Sequence, residues 1–261
     1  MENQVVQPTK SYDFPTEVIS LPSKGKLYPS TNPLSSGTVE MRYMTAKHED
    51  ILTNESFIKS GVVIDKLLEA LVVSPVNLDD LLIGDKNALL VAARILGYGK
   101  DYTFKFQPVL SDTAEEVTID LAELSDKELD ESLLVEGQNK FEFTTPVSKK
   151  LITFKLLTQG DEKKIDAEVK SIKKLYKQSS PEASVRLKHT LTSVDGNDDP
   201  KVIRDFVDNH LLAREARELR QYINRISPDV DLKFNYEGDG YTEEGVSIPL
   251  GISFFWPDAG A

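Results

Sequence analysis

Apolar residues along this chain switch period three times, and that pattern limits the fold more than any single motif does. Ile64, Leu67, Leu68, Leu71 and Val72 keep the i, i+3, i+4, i+7, i+8 spacing of one buried helix face. From Tyr102 the spacing drops to two: Tyr102, Phe104 and Phe106, then Val117, Ile119 and Leu121, then Phe141 and Phe143. Helical spacing returns at Ile165, Val169, Ile172 and Tyr176, and strand spacing closes the chain over residues 232–250. Blocks of helix and strand that follow one another without strict alternation predict an α+β fold. Its parts are a helical N-terminal block, a β-rich middle module, and a long C-terminal helix followed by a β-hairpin.

Local signals fill in the elements. Pro75 ends the first helix, Asn77 caps a short turn through Leu81 and Leu82, and Asp85 is read as the cap of a helix over 86–96 that stops at Gly97 and Gly99. A hairpin joins 102–106 to 117–121, and Ser125 with Glu128 forms a capping-box pattern for a short helix. Another strand pair, 141–143 with 151–157, surrounds Pro146. Pro200 suits a first helical position. From there Val202, Ile203, Phe206, Val207, His210, Leu211, Leu219, Tyr222, Ile223 and Ile226 predict one helix over 200–226, about 38 Å long. Such a helix serves as a bundle spine or as a partner-binding face. The final hairpin, 232–236 with 246–250, echoes the earlier one: Lys105-Phe106 before Glu115-Glu116 compares with Lys233-Phe234 before Glu243-Glu244. Duplication and chance both account for so short an echo.

Ahead of these blocks, Pro8, Pro15, Pro22, Pro29 and Pro33 fall at nearly even intervals and disfavour helix. Residues 1–38 are therefore read as an extended arm, mobile or laid on another surface, with sparse apolar anchors that include Tyr28. The division that follows is 1–38 for the arm, 39–99 for a strand plus helical block, 100–157 for the β-rich module, and 158–261 for the helical segment with its hairpin and aromatic tail.

Composition removes whole classes of function. The 31 Lys+Arg face 43 Asp+Glu, and a net charge of −12 argues against a nucleic-acid partner, which needs a basic face. With no cysteine there is no disulfide, thiol catalysis or Cys-ligated zinc. No apolar run reaches the length of a membrane span, and Met1-Glu2-Asn3-Gln4 lacks the features of a signal peptide. The expectation is a soluble protein of a reducing cytoplasm.

Candidate chemistry is thin. Asp195, Asn197 and Asp199 match the first ligands of an EF-hand loop, but Pro200 stands where glycine is required and Phe206 where a bidentate glutamate belongs. A solvated acidic turn that caps a helix is the reading. Gly97-Tyr98-Gly99 ends a helix, whereas a dinucleotide fingerprint opens one. His48, His189 and His210 share no spacing, and the adjacent pairs Glu115-Glu116 and Glu243-Glu244 point to opposite strand faces. No catalytic, cofactor-binding or metal-binding residue is expected, and the chain is read as a non-enzyme. Lys163, Lys164, Lys170, Lys173, Lys174 and Lys177 form a basic island, either a solvated helix face or a site for an acidic protein. Arg214, Arg217 and Arg220 make a second basic stripe, with Glu215 and Glu218 available to pair with it internally. Phe254, Phe255 and Trp256 stand close to the chain end. A strand-like ending would put Phe254 and Trp256 on one face, closing the core, and Phe255 on the other, toward a partner.

Three stretches near the N-terminus carry a family resemblance. They are Leu21-Pro22-Ser23-Lys24-Gly25-Lys26-Leu27-Tyr28-Pro29; Val39-Glu40-Met41-Arg42-Tyr43-Met44-Thr45-Ala46-Lys47-His48-Glu49-Asp50-Ile51-Leu52-Thr53-Asn54; and Gly61-Val62-Val63-Ile64-Asp65-Lys66-Leu67-Leu68. They resemble the opening of the T4-type bacteriophage baseplate hub assembly family. Ile248-Pro249 and Ser253-Phe254-Phe255-Trp256-Pro257 are similar to its ending. The resemblance implies a non-enzymatic tail protein, a structural component or assembly factor of the central hub of a contractile tail. Its partners would be other hub, tape-measure or tail proteins. It would work in the host cytoplasm during assembly and then in the virion baseplate. A tail-assembly chaperone absent from the virion, or an unrelated cytosolic adaptor, are the alternatives. Family members often carry cysteine pairs in hairpins that look like zinc knuckles. Here the matching stretches are Phe106-Gln107-Pro108-Val109 and Phe234-Asn235-Tyr236-Glu237, so no zinc carries over. By this reading the candidate partner-binding residues are Tyr28, Arg214, Arg217, Arg220, Phe254, Phe255 and Trp256.

Overall fold

The computed structural model describes residues 15–111, 113–176, 181–238 and 240–255. β1 (Thr16–Ser20) pairs antiparallel with β2 (Thr38–Arg42), with Ile19 opposite Val39. Between them a chain of tight turns replaces helix, as the prolines require: Lys24 N–H donates to Leu21, Lys26 to Ser23, and Tyr28 to Gly25. Leu21, Leu27, Tyr28 and Leu34 turn inward and are buried. Gly25 sits at φ +75°, and a Cβ there would lie 2.4 Å from the Ser35 carbonyl oxygen, so the loop closes only around glycine. In place of an arm ordered by another surface, residues 16–20 pair with β2 and the loop after them sends Leu21, Leu27, Tyr28 and Leu34 into the chain's own core. Prolines exclude helix but leave turns and a strand pair open, and these satisfy the backbone. Residues 1–14 lie outside the described residues.

The helical block contains α1 (Ala46–Leu52), α2 (Glu55–Ser60), α3 (Val63–Leu71) and α4 (Ile83–Tyr98). Leu67, Leu68 and Leu71 are buried on α3, as their spacing predicts. The Asn77 side chain caps a 3-10 turn, accepting from the Asp79 N–H at 3.2 Å. α4 starts before the predicted boundary, so Asp85 is no cap: it lies within the first turn and is fully buried. Ala88 to Ala93 are all buried, which makes α4 the central helix, covered on most of its circumference.

β3 (Asp101–Phe106) and β4 (Glu115–Asp120) form the expected hairpin, with Tyr102 opposite Ile119 and Phe104 opposite Val117. No helix follows at Ser125 and Glu128. Their backbone is engaged elsewhere: Lys127 N–H donates to Asp229 and Asp231 N–H to Ser125, both at 2.8 Å, and this tertiary pairing overrides the local capping signal. β5 (Phe141–Thr144) and β6 (Leu151–Phe154) pair as predicted, and β7 (Leu191–Val194), which no sequence signal announced, adds a third antiparallel strand beside β6. β7 follows α5 (Gln159–Leu175) and α6 (Glu182–Thr190), whose Ile165, Val169 and Val185 make a small second core.

Residues 200–226 are not one helix. α7 (Pro200–Asp205) runs into a π-turn, Phe206–His210, closed by the Leu211 N–H donating to Phe206 at 2.8 Å; α8 (Ala213–Ile226) then restarts. Glu215 stays on the buried face of α8 one turn before Leu219, and its carboxylate is met there by the Val147 and Ser148 N–H groups. β8 (Lys233–Gly238) and β9 (Tyr241–Ser247) form the last hairpin. It packs on β3–β4, with Phe234 edge-on to Phe104 and Phe106 at 5.4 and 5.5 Å, so the two hairpins of similar sequence face each other. The chain returns to α4 through a 3-10 turn, Ile252–Phe255. The architecture is α+β, with small antiparallel sheets arranged around the helices.

Candidate interaction surface

Tyr28 does not face a partner. It is buried, its hydroxyl donates to Asp85 Oδ2 at 2.5 Å, and the same oxygen accepts from the Leu82 N–H at 2.9 Å. Asp85 also accepts from the Ser23 N–H at 2.9 Å and the Ser23 hydroxyl at 2.7 Å. Burial pushes the Asp85 pKa above its ordinary value, outweighing the Tyr28 and Ser23 donors that stabilise the anion. Burial and the neighbouring Asp85 push the Tyr28 pKa up as well. This cluster ties the 21–37 loop to the start of α4 and offers no reactive group to solvent.

The aromatic ending divides differently from the strand expectation. Residues 252–255 are helical, and Phe254 and Phe255 are both buried, at 0% and 1% exposure. Phe254 packs edge-on against Tyr102 at 4.9 Å and against Phe255 at 5.3 Å. Phe255 is therefore a core residue and not a partner contact: a 3-10 turn does not alternate faces as a strand does. Trp256 lies outside the described residues.

The arginine stripe is exposed on α8. Arg214 Nε donates to Glu218 Oε1 at 3.1 Å, an internal i,i+4 pair. Arg217 and Arg220 have no ion-pair or hydrogen-bond partner among the described residues. Glu215 turns inward and does not join the stripe. It accepts from the Val147 and Ser148 N–H groups at 3.0 and 2.7 Å, joining α8 to the β5–β6 turn. Burial alone would raise the Glu215 pKa, but the Ser148 and Val147 donors outweigh it and hold the carboxyl below its usual value.

Beside Arg220 a groove of about 330 Å³ opens between the start of α4, the segment after β6, α6 and the end of α8. Leu156, Leu187, Ile223 and Pro228 lie along its apolar floor, and Lys155, Arg186 and Arg220 stand on its rim. Lys155 Nζ donates to Asp161 at 2.7 Å, and Arg186 grips Glu162 with both guanidinium nitrogens. Gly84 also borders the groove, where a Cβ would lie 1.8 Å from the Pro228 carbonyl oxygen; only glycine lets α4 and the 228 segment approach so closely. Sequence reasoning missed this groove because its parts are far apart in the chain and each has an ordinary local pattern.

The remaining polar candidates stay apart. His48 Nδ1 accepts from the Thr45 N–H at 2.9 Å, His189 faces Glu168 at 2.9 Å, and His210 faces Asp205 at 3.2 Å. His210 is exposed and not on a buried stripe, because the π-turn rotates it outward. The acidic turn caps α7: Asp199 accepts from the Lys201 N–H at 2.9 Å, and Asp195 holds Lys150 at 2.7 Å. On α5, Lys163 bridges to Asp79 at 2.6 Å and Lys173 pairs with Glu182, while Lys177 lies outside the described residues. Among the described residues no group of three or more His, Asp or Glu is placed to hold a metal ion, and no helix is long and apolar enough to cross a membrane. No family model matches the chain, and no curated protein or solved structure matches it either.

Proposed function

We propose that this chain is a non-enzymatic bacteriophage tail protein, a structural component or assembly factor of the central baseplate hub, acting through contacts with hub, tape-measure or tail proteins. The reading starts from the resemblance of residues 21–29, 39–54, 61–68 and 253–257. One structural observation supports it: the resembling stretches from opposite ends of the chain meet on the same helix. Ser23 and Tyr28 bond Asp85 at the start of α4, and the 252–255 turn packs against α4 with Phe254 on Tyr102. The likeness therefore lies in residues that build the core, and a match of that kind bears on the fold as well as on a surface.

Protein identification in purified particles, compared with infected-cell lysate, tests the reading. A hub component is found in both at a fixed ratio to other tail proteins. Presence in lysate alone makes it a chaperone that leaves before completion. Absence of any association with tail intermediates overturns the tail assignment and leaves the cytosolic adaptor.

A further inference from the structure

We propose that the groove beside α8 is a docking site for a partner segment that carries an apolar side chain next to a carboxylate. The inference does not depend on the hub reading. The groove volume of about 330 Å³ lies at the small end of ligand pockets and suits one or two large side chains, not a whole domain. Leu156, Leu187 and Ile223 lie along its floor, and Ala183 on α6 borders it at an exposed position.

The charges around the groove select the sign of the partner. Of the two acids on the rim, Glu162 is neutralised by Arg186, and half-buried Asp229 is drawn through Oδ1 to the Asn87 amide at 3.0 Å and the Val230 N–H at 2.9 Å. Lys155 is likewise engaged by Asp161. Arg220 alone among the rim cations has no partner among the described residues, and Arg217, one turn before it, is equally unengaged. Arg220 thus places an unpaired guanidinium beside an apolar floor in a chain of net charge −12. An anionic apolar segment is repelled over most of this acidic surface, and the groove offers it both burial and a planar bidentate donor. A basic partner would meet the exposed Arg220 and find only Asp229, half-buried and held toward Asn87, to pair with.

The test uses the full chain and 8-anilinonaphthalene-1-sulfonate, whose fused rings and sulfonate copy apolar–anionic chemistry. The dye should bind once per chain, more weakly as salt rises. A peptide alternating leucine with glutamate should displace it, and the matching leucine–lysine peptide should not. Arg220→Glu should weaken dye and acidic peptide tenfold or more with an unchanged melting curve, since Arg220 is exposed and unpaired. Ala183→Tyr, a change at an exposed position that fills the mouth, should do the same. Equal displacement by the lysine peptide, or unchanged binding in both variants, overturns the proposal. Displacement by a fatty acid but by neither peptide also overturns it, in favour of a small amphiphile.

Discussion

Replacing Tyr28 by Phe removes one oxygen and breaks two buried bonds. The hydroxyl donates to the Asp85 carboxylate at 2.5 Å, a bond to a charged group that contributes about 1.5–3 kcal/mol. The same oxygen is the acceptor for the Leu82 N–H at 2.9 Å, and leaving that donor unsatisfied costs about 1–3 kcal/mol. Together the loss is about 2.5–6 kcal/mol, a large share of a total stability of about 5–15 kcal/mol. At roughly 2–4 °C per kcal/mol for a domain of this size, Tm should fall by about 10 °C. The pH dependence has a definite sign. Asp85 has a folded pKa above its ordinary 3.8, so its protonation contributes stability that is complete below 3.8 and is lost as pH rises through the folded value. Removing the Tyr28 donor raises that folded pKa further. The penalty of the substitution is therefore greatest at neutral pH and narrows as acid protonates Asp85. Thermal melts of both proteins at several pH values between 4 and 7 provide the assay. A shift under about 2 °C at neutral pH, or a gap that widens toward acid, would refute the assignment of Tyr28 to the core cluster.

Other expectations follow from the same geometry. Phe254→Ala and Phe255→Ala should each destabilise the chain by about 3–5 kcal/mol in calorimetry, and a Phe255 variant that melts normally would restore the strand-like picture. The Gln159 side chain is buried with neither amide atom hydrogen-bonded among the described residues, so Gln159→Met should stabilise by about 1–3 kcal/mol; a lower urea midpoint would show that the amide has a partner. Lys26 and Lys24 hold the exposed Glu131 carboxyl down to about 2, so its stabilising contribution is present above its ordinary 4.5 and lost as pH falls toward 2. NMR titration should find that low value, and Lys26→Ala or high salt should raise it; an ordinary titration in dilute buffer would contradict the pairing.

Hydrophobic period located most of the elements because burial acts directly on it: α3, the β3–β4 hairpin and the β5–β6 pair lie where the spacing put them. By contrast, β9 runs over Tyr241–Ser247 and not over the expected 246–250, since Gly238 pairs directly with Tyr241 and the return strand starts at once. The errors have a common physical origin. Tyr28, Asp85 and Glu215 are polar groups whose partners come from distant residues, so nothing adjacent in sequence announces their burial. One signal was present in the sequence: Glu215 falls on the stripe between Leu211 and Leu219, where a charge on an apolar face argues for a buried partner. Asp85 is similar, since it lies between Leu82 and Leu89 on a face that is otherwise apolar. For the interaction surface, the exposure of Arg214, Arg217 and Arg220 was legible from helical spacing. Which of them stays unpaired was not, because that depends on Glu218 and on the groove formed with α4 and α6.

The role proposed for the chain is tail assembly through its surfaces and not through chemistry. Electron microscopy of cells infected by phage unable to make this protein tests it most directly. The account predicts heads and free tail components without complete baseplates, with completion restored by supplying the wild-type chain in trans. Normal numbers of complete contractile tails in its absence would contradict it.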